Sequence, residues 1–263
     1  MSNAVVIGNG ESRSWYYPSH QTFGVPVTTW GCNAIHRDGL PDNLVAVDYG
    51  MQQEIYETNN WRDTQCWFAN WSILPAEVAA VMFMGYDIPE AFINRNSNVT
   101  DRCVISGKDP VTVNEKIETA IKMHPHLDMK DLRAKMEKDV GVWITYVEED
   151  DNINNIDFPI GWSAGNTALY LACQSGAKEV YILGFDLSSY DEPLNNIYKG
   201  TDNYLSSDAK GFNSVNWKDQ MQTVFEEFKD VKFYWVDARD NSIQENNLSY
   251  LTKTDFCDTL KIL

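Results

Sequence analysis

A single α/β domain, doubly wound about a mostly parallel sheet and carrying an inserted helical lid region, is what this sequence predicts. Three observations carry that prediction. Short apolar runs at Val5–Ile7, Leu44–Val47 and Val180–Leu183 have the length and continuity of strands buried on both faces. The first run breaks at once into Gly8-Asn9-Gly10-Glu11-Ser12, a turn of the kind found at the carboxyl end of such a strand. A helix capped by Ser163 and running to about Ser175 leads through Gly176 into Glu179–Asp186, which is half of a βαβ unit. The chain has 263 residues, a length that suits one large domain over residues 1–263, with 86–155 as an insertion or lid.

The elements follow in order. Ser14–Gly24 is rich in aromatic and turn residues and reads as a loop with a short helix. Val25–Trp30 is β-branched and reads as the second strand, ending in Gly31-Cys32-Asn33. Leu44–Val47 is the third strand, with Asp48 at its end, and Met51–Thr58 is helical. Thr64–Phe68 reads as a fourth strand, and Pro75–Met84 as a helix with proline in its first turn. The pattern then loosens. Asn94–Thr100 is polar loop, Val111–Lys122 and Met129–Lys138 are amphipathic helices, and Val140–Val147 has strand character. Small residues Ala164, Gly165 and Ala168 let the helix after Ser163 pack closely on a sheet. Asn216–Lys229 is a further amphipathic helix, Val231–Val236 a strand, and Leu251–Leu260 a closing helix.

Composition narrows the partners. A hydrophobic content of 43% supports a sizeable core. No apolar run approaches the roughly 18 residues a membrane span needs, and the N-terminus lacks the basic segment of a signal peptide. Cys32, Cys66, Cys103, Cys173 and Cys257 are widely spaced and odd in number, as expected of reduced thiols in a cytoplasmic protein. A net charge of −17, from 38 acids against 21 bases, argues against a large footprint on duplex nucleic acid or anionic membrane. It leaves room for a small phosphate-bearing ligand. Nine tryptophans and 13 tyrosines offer faces for stacking on sugars and bases.

Residues able to carry chemistry fall at strand ends. These are Asn9, Gly10 and Ser12 after the first strand, Asn33 after the second, Asp48 after the third and Asp186 near the carboxyl end of the Glu179–Asp186 strand. Carboxyl ends of parallel strands share one edge, so these residues are expected to converge, with the start of the helix at Ser163, Ala164, Gly165 and Asn166 beside them. The two glycines are read as freeing amide N–H groups to cradle phosphate or ribose. The loop is neither G-x-G-x-x-G nor a P-loop. Asp48 and Asp186 are candidates for a general base or simple caps. His36 lines the site or sits on a surface loop; His20, and the pair His124 and His126, offer no metal-binding spacing. The acid run at 148–151 is a metal site or a solvated loop, and Tyr198–Tyr204 a closing lid or a plain surface loop.

These blocks, taken together and in order, resemble the bacterial sialyltransferases of glycosyltransferase family 42 and the related DUF115-type proteins. The matching stretches are Val5–Ser12, Gly31-Cys32-Asn33, Ser163-Ala164-Gly165 and Ala177–Asp186, and the likeness extends to proteins of marine tailed phages. The resemblance implies a Rossmann-like GT-A variant fold and a CMP-sugar donor held by Asn9, Gly10, Ser12, Asn33, Ser163, Ala164 and Gly165. It implies that Tyr190 and Tyr198 stand nearest the family's two phosphate-binding tyrosines, and that transfer inverts the sugar without a metal or other cofactor. The family's catalytic histidine has no counterpart, because no histidine follows His126. The expected function is transfer of a sugar from a nucleotide sugar to an acceptor hydroxyl on a glycan, a modified DNA base or a protein, with no membrane partner and a homo-oligomer left open. The alternatives are a metal-dependent nucleotide pyrophosphokinase or hydrolase, and a non-catalytic phage protein that keeps the fold.

Overall fold

The computed structural model describes residues 2–69, 152–187, 192–211 and 215–262. Within them lie strands β1 (Asn3–Ile7), β2 (Val27–Cys32), β3 (Asn43–Ala46), β4 (Gln65–Ala69), β5 (Ile153–Ile156), β6 (Glu179–Leu183), β7 (Lys232–Val236) and β8 (Leu248–Leu251). The helices are α1 (Tyr49–Glu57), α2 (Ala164–Gln174), α3 (Val215–Glu227) and α4 (Lys253–Leu260). The strands form one sheet in the order β5-β4-β3-β2-β1-β6-β7-β8. Every pairing is parallel. The fold is therefore a doubly wound, Rossmann-like α/β sheet.

Strand order places the site. From β1 the chain steps outward through β2, β3 and β4 to β5, then returns to lay β6 on the other side of β1. The direction of winding reverses between β1 and β6. Open α/β sheets bind ligands at that point, outside the carboxyl ends of the strands.

Burial follows from the period of two. Ala4 and Val6 face a core with Leu169 and Ala172 of α2 and Phe225 of α3. Val5 and Ile7 face the opposite core with Ile55 of α1 and Phe256 of α4. With both faces covered, β1 needs an uninterrupted apolar run. Ser163 caps α2, its Oγ accepting the Asn166 N–H at 3.3 Å. Gly176 ends the helix at φ +95°, where a side chain would be strained. The close packing expected of the small residues is present: a Cβ on Gly165 would lie 3.3 Å from the Phe185 ring.

Boundaries differ from expectation in informative ways. The strand expected over Glu179–Asp186 stops at Leu183, because Gly184 turns the chain at φ +66°. Strands β5 and β8 were not anticipated: Ile-Asn-Asn-Ile and Leu-Ser-Tyr-Leu are short, half-polar edge segments without a continuous apolar run. Residues 152–155, the end of the stretch read as a lid, run into β5 and so belong in part to the sheet. The helices expected over 75–84, 111–122 and 129–138, the strand over 140–147, His124, His126, Cys103, the acid run and Tyr190 lie outside the described residues.

Candidate functional site

The loop after β1 is stitched to the loop after β6. Gly8 N–H donates to Leu183 O and Gly10 N–H to Gly184 O, both at 2.8 Å. Ser12 N–H donates to Asp186 Oδ2 at 2.6 Å, and Glu11 N–H to Asn195 Oδ1 at 2.8 Å. The amides expected to cradle phosphate are thus spent on acceptors of the protein itself. The glycines serve close approach instead. A Cβ on Gly8 would lie 2.5 Å from Gly184 O, and one on Gly10 would lie 2.6 Å from Asp186 Cγ.

Side chains supply what the amides do not. Asn9 is buried at the end of β1, and its Nδ2 donates to Cys32 O at 3.3 Å and to Tyr204 Oη at 3.0 Å. The Cys32 carbonyl can only accept, which fixes the amide orientation and leaves Oδ1 on the other side. Asn33, the next residue after Cys32, holds φ at +52°, a left-handed conformation that asparagine tolerates better than most residues. Among the described residues, Asn9 Oδ1 and Asn33 Oδ1 are buried with no hydrogen-bond partner. Such an acceptor costs about 1–3 kcal/mol when left unmet, so the pair is a standing demand for donors. Tyr204 Oη closes the group, accepting from Ala34 N–H at 3.4 Å as well as from Asn9.

The turn that presents Asn33 is braced from behind. His36, read as lining the site or lying on a surface loop, is buried; its Nδ1 lies 3.0 Å from Asn33 O and its Nε2 3.1 Å from Glu54 Oε1. Arg37 grips Glu54 with two bonds of 2.6 Å, and Asn203 Nδ2 adds a third contact at 2.8 Å. Burial alone would raise the Glu54 pKa, but the donors His36, Arg37 and Asn203 overcome it and lower the value from 4.5 to about 2. Arg37 also donates to Thr201 Oγ1 and Asp202 O, so the 198–204 segment is held against α1 and the Asn33 turn.

The two aspartates part company. The Asp186 side chain is 0% exposed, with Oδ2 taking the Ser12 N–H and lying 3.6 Å from Arg239 Nε. It anchors the first loop. Asp48 stands at the N-cap position of α1, makes no capping bond there, and is open to solvent at the residue level. Protein packed around its carboxyl raises its pKa above the ordinary carboxylate value. It lies near enough to add to the burial that pushes the Cys32 thiol up to about 12.

The Tyr198 hydroxyl is already engaged by the protein. Its hydroxyl donates to Asp38 Oδ2 at 2.5 Å and accepts from Arg13 at 2.9 Å, inside the core. Burial, opposed by Arg13 and helped by Asp38, pushes its pKa well up. Arg13 is itself buried and also donates to Gly8 O and Tyr16 O. Sequence reasoning missed Arg13, Tyr204, Lys199 and Arg239. Tyr204 and Lys199 carried a signal, their place in the polar glycine-containing segment 198–204.

Asn9, Gly10, Ser12, Asn33 and Asp186 therefore share one rim, as expected. At α2, Gly165 meets this rim through the Phe185 ring. Ser163 and Asn166 turn toward α3 instead: Ser163 N–H and Asn166 Nδ2 both donate to Gln220 Oε1 at 3.1 Å. Ala164 is buried. Among the described residues, no helix is long and apolar enough to cross a membrane.

No family model matches the chain, and no curated protein matches it. Among solved structures it is similar to the sialyltransferase CstII from Campylobacter jejuni, determined with the substrate analogue CMP-3FNeuAc. That similarity covers 89% of this chain and 80% of the other, at 11% identity and a TM-score of 0.38. So distant a likeness assigns no residue a role.

Proposed function

We propose that this edge binds a nucleotide sugar and passes its sugar to an acceptor hydroxyl. The observation that carries the reading is the pair of buried, unpartnered amide oxygens of Asn9 and Asn33 at the winding reversal of the sheet. Ribose hydroxyls and the amino edge of a base are the donors that satisfy such acceptors. Asp48 is the general base of this reading, because the residue is exposed at the same edge while the protein around its carboxyl makes that group more basic. It takes the acceptor's hydroxyl proton as the oxygen attacks the anomeric carbon. The bond from that carbon to the phosphate oxygen breaks, the electron pair leaves with the nucleotide, and the sugar inverts. Asp186 holds the loop.

Calorimetry with CMP sugars and other nucleotide sugars tests this. Asn33→Gly keeps the backbone at +52° free of strain and removes only the amide, so donor affinity is expected to fall about tenfold. Equal affinity in the variant overturns the assignment.

A further inference from the structure

With Tyr198 committed to Arg13 and Asp38, and the loop amides committed to carbonyls and carboxylates, the rim needs another source of positive charge for a phosphate. Two cations supply it from distant parts of the chain. Arg239, in the loop after β7, reaches back across β6, with Nε 3.6 Å from Asp186 Oδ2 and a terminal nitrogen 3.6 Å from Glu11 Oε2. Lys199 reaches the other oxygen of the same carboxylate, with Nζ 2.6 Å from Glu11 Oε1. Glu11 begins the short helical turn after Gly10, so its carboxylate sits between the two cations directly beside the winding reversal. Neither contact of Arg239 is of hydrogen-bond length, and its side chain is 50% exposed. Behind it lies Asp186, fully buried, whose Oδ1 has no partner among the described residues. The chain places this basic pair here against a net charge of −17.

We propose that Arg239 and Lys199 form the phosphate-binding pair of the edge, and that Glu11 is an internal anion holding their place. This rests on the nucleotide reading above and adds to it a site for the phosphate. An incoming phosphate takes over the guanidinium, which donates two parallel N–H bonds to its oxygens, and Glu11 swings toward solvent. In sugar transfer the same pair meets the charge that builds on the leaving phosphate oxygen.

The test is calorimetry with three probes, cytidine, CMP and inorganic phosphate, on the wild-type chain and on Arg239→Gln and Glu11→Gln, each checked by its melting curve. Arg239→Gln is expected to weaken CMP about tenfold, to leave cytidine within about twofold, and to abolish phosphate binding. Glu11→Gln is expected to act in the opposite direction, tightening CMP and phosphate severalfold. Arg239→Lys keeps the charge, loses the fork, and falls between. Unchanged CMP affinity in Arg239→Gln, or an equal loss for cytidine and CMP, overturns the pair while the nucleotide reading stands. If the wild type binds neither cytidine nor CMP, the nucleotide reading fails, and phosphate decides the pair. Phosphate held by the wild type and lost in Arg239→Gln upholds it, and phosphate held by none of the three overturns it.

Discussion

At the scale of single residues, the site turns on what each polar atom already holds. Asp48 and Asp186 have the same side chain at matching ends of parallel strands, yet they stand in different surroundings. Asp186 Oδ2 is tied to the Ser12 N–H, whereas Asp48 has no capping bond and a raised carboxyl pKa. Asp48→Asn is therefore expected to remove sugar transfer while donor binding stays, read as nucleotide release against calorimetric affinity. Asp186→Ala is expected to act on the fold first. It leaves the half-buried Ser12 N–H without its acceptor and lowers stability by about 1–3 kcal/mol in denaturant unfolding, and Asp186→Asn, which keeps an acceptor, recovers most of it. Transfer intact in Asp48→Asn would exclude it as the base.

At the scale of elements, the loops after β1 and β6 behave as one unit. Their glycines sit at a backbone-to-backbone approach that a methyl group cannot enter, since a Cβ on Gly8 would lie 2.5 Å from Gly184 O. A carbonyl oxygen of the backbone cannot swing aside as a side chain can. Gly8→Ala is expected to destabilise the chain by about 1–3 kcal/mol, the usual cost of overpacking, measured as a fall in the unfolding midpoint. Arg13 locks the same unit from the other face, bonding Gly8 O, Tyr16 O, Tyr198 Oη and Asp38. Its loss leaves a half-buried carboxylate–phenol pair without its cation. Arg13→Met is expected to cost about 3 kcal/mol or more in the same measurement. A variant as stable as wild type in either case would mean that the two loops are not joined as described.

At the scale of the molecule, one acidic hub couples the segment 198–204 to α1 and to the Asn33 turn. Glu54 receives His36, Arg37 and Asn203, and its pKa falls from 4.5 to about 2. A carboxylate whose folded value is depressed adds stability above its unfolded value, and that stability is lost as pH falls through the folded one. The wild type is therefore expected to melt higher than Glu54→Gln at neutral pH, with the gap closing as pH drops from about 5 toward about 2. A gap that stays constant over that range would remove Glu54 from the coupling. The net charge of −17 still argues against polyanionic partners, because the bases at the rim are few and mostly bound to carboxylates.

The apolar runs at Val5–Ile7 and Val180–Leu183, the Ser163 cap and the Gly176 stop are local signals, and from them the sequence by itself determined the α/β class, the central strands and the edge where Asn9, Asn33 and Asp186 gather. Edge strands β5 and β8 escaped because their half-polar segments become strands only by pairing with a neighbour already in place. The role of each rim residue was likewise decided by tertiary structure alone. Whether an amide, a tyrosine or an aspartate is free to meet a ligand depends on partners far away in sequence, such as Gly184 for Gly10, Asp38 for Tyr198 and Arg239 for Asp186. Local pattern records what a side chain can donate or accept; only the packed chain settles who has already claimed it.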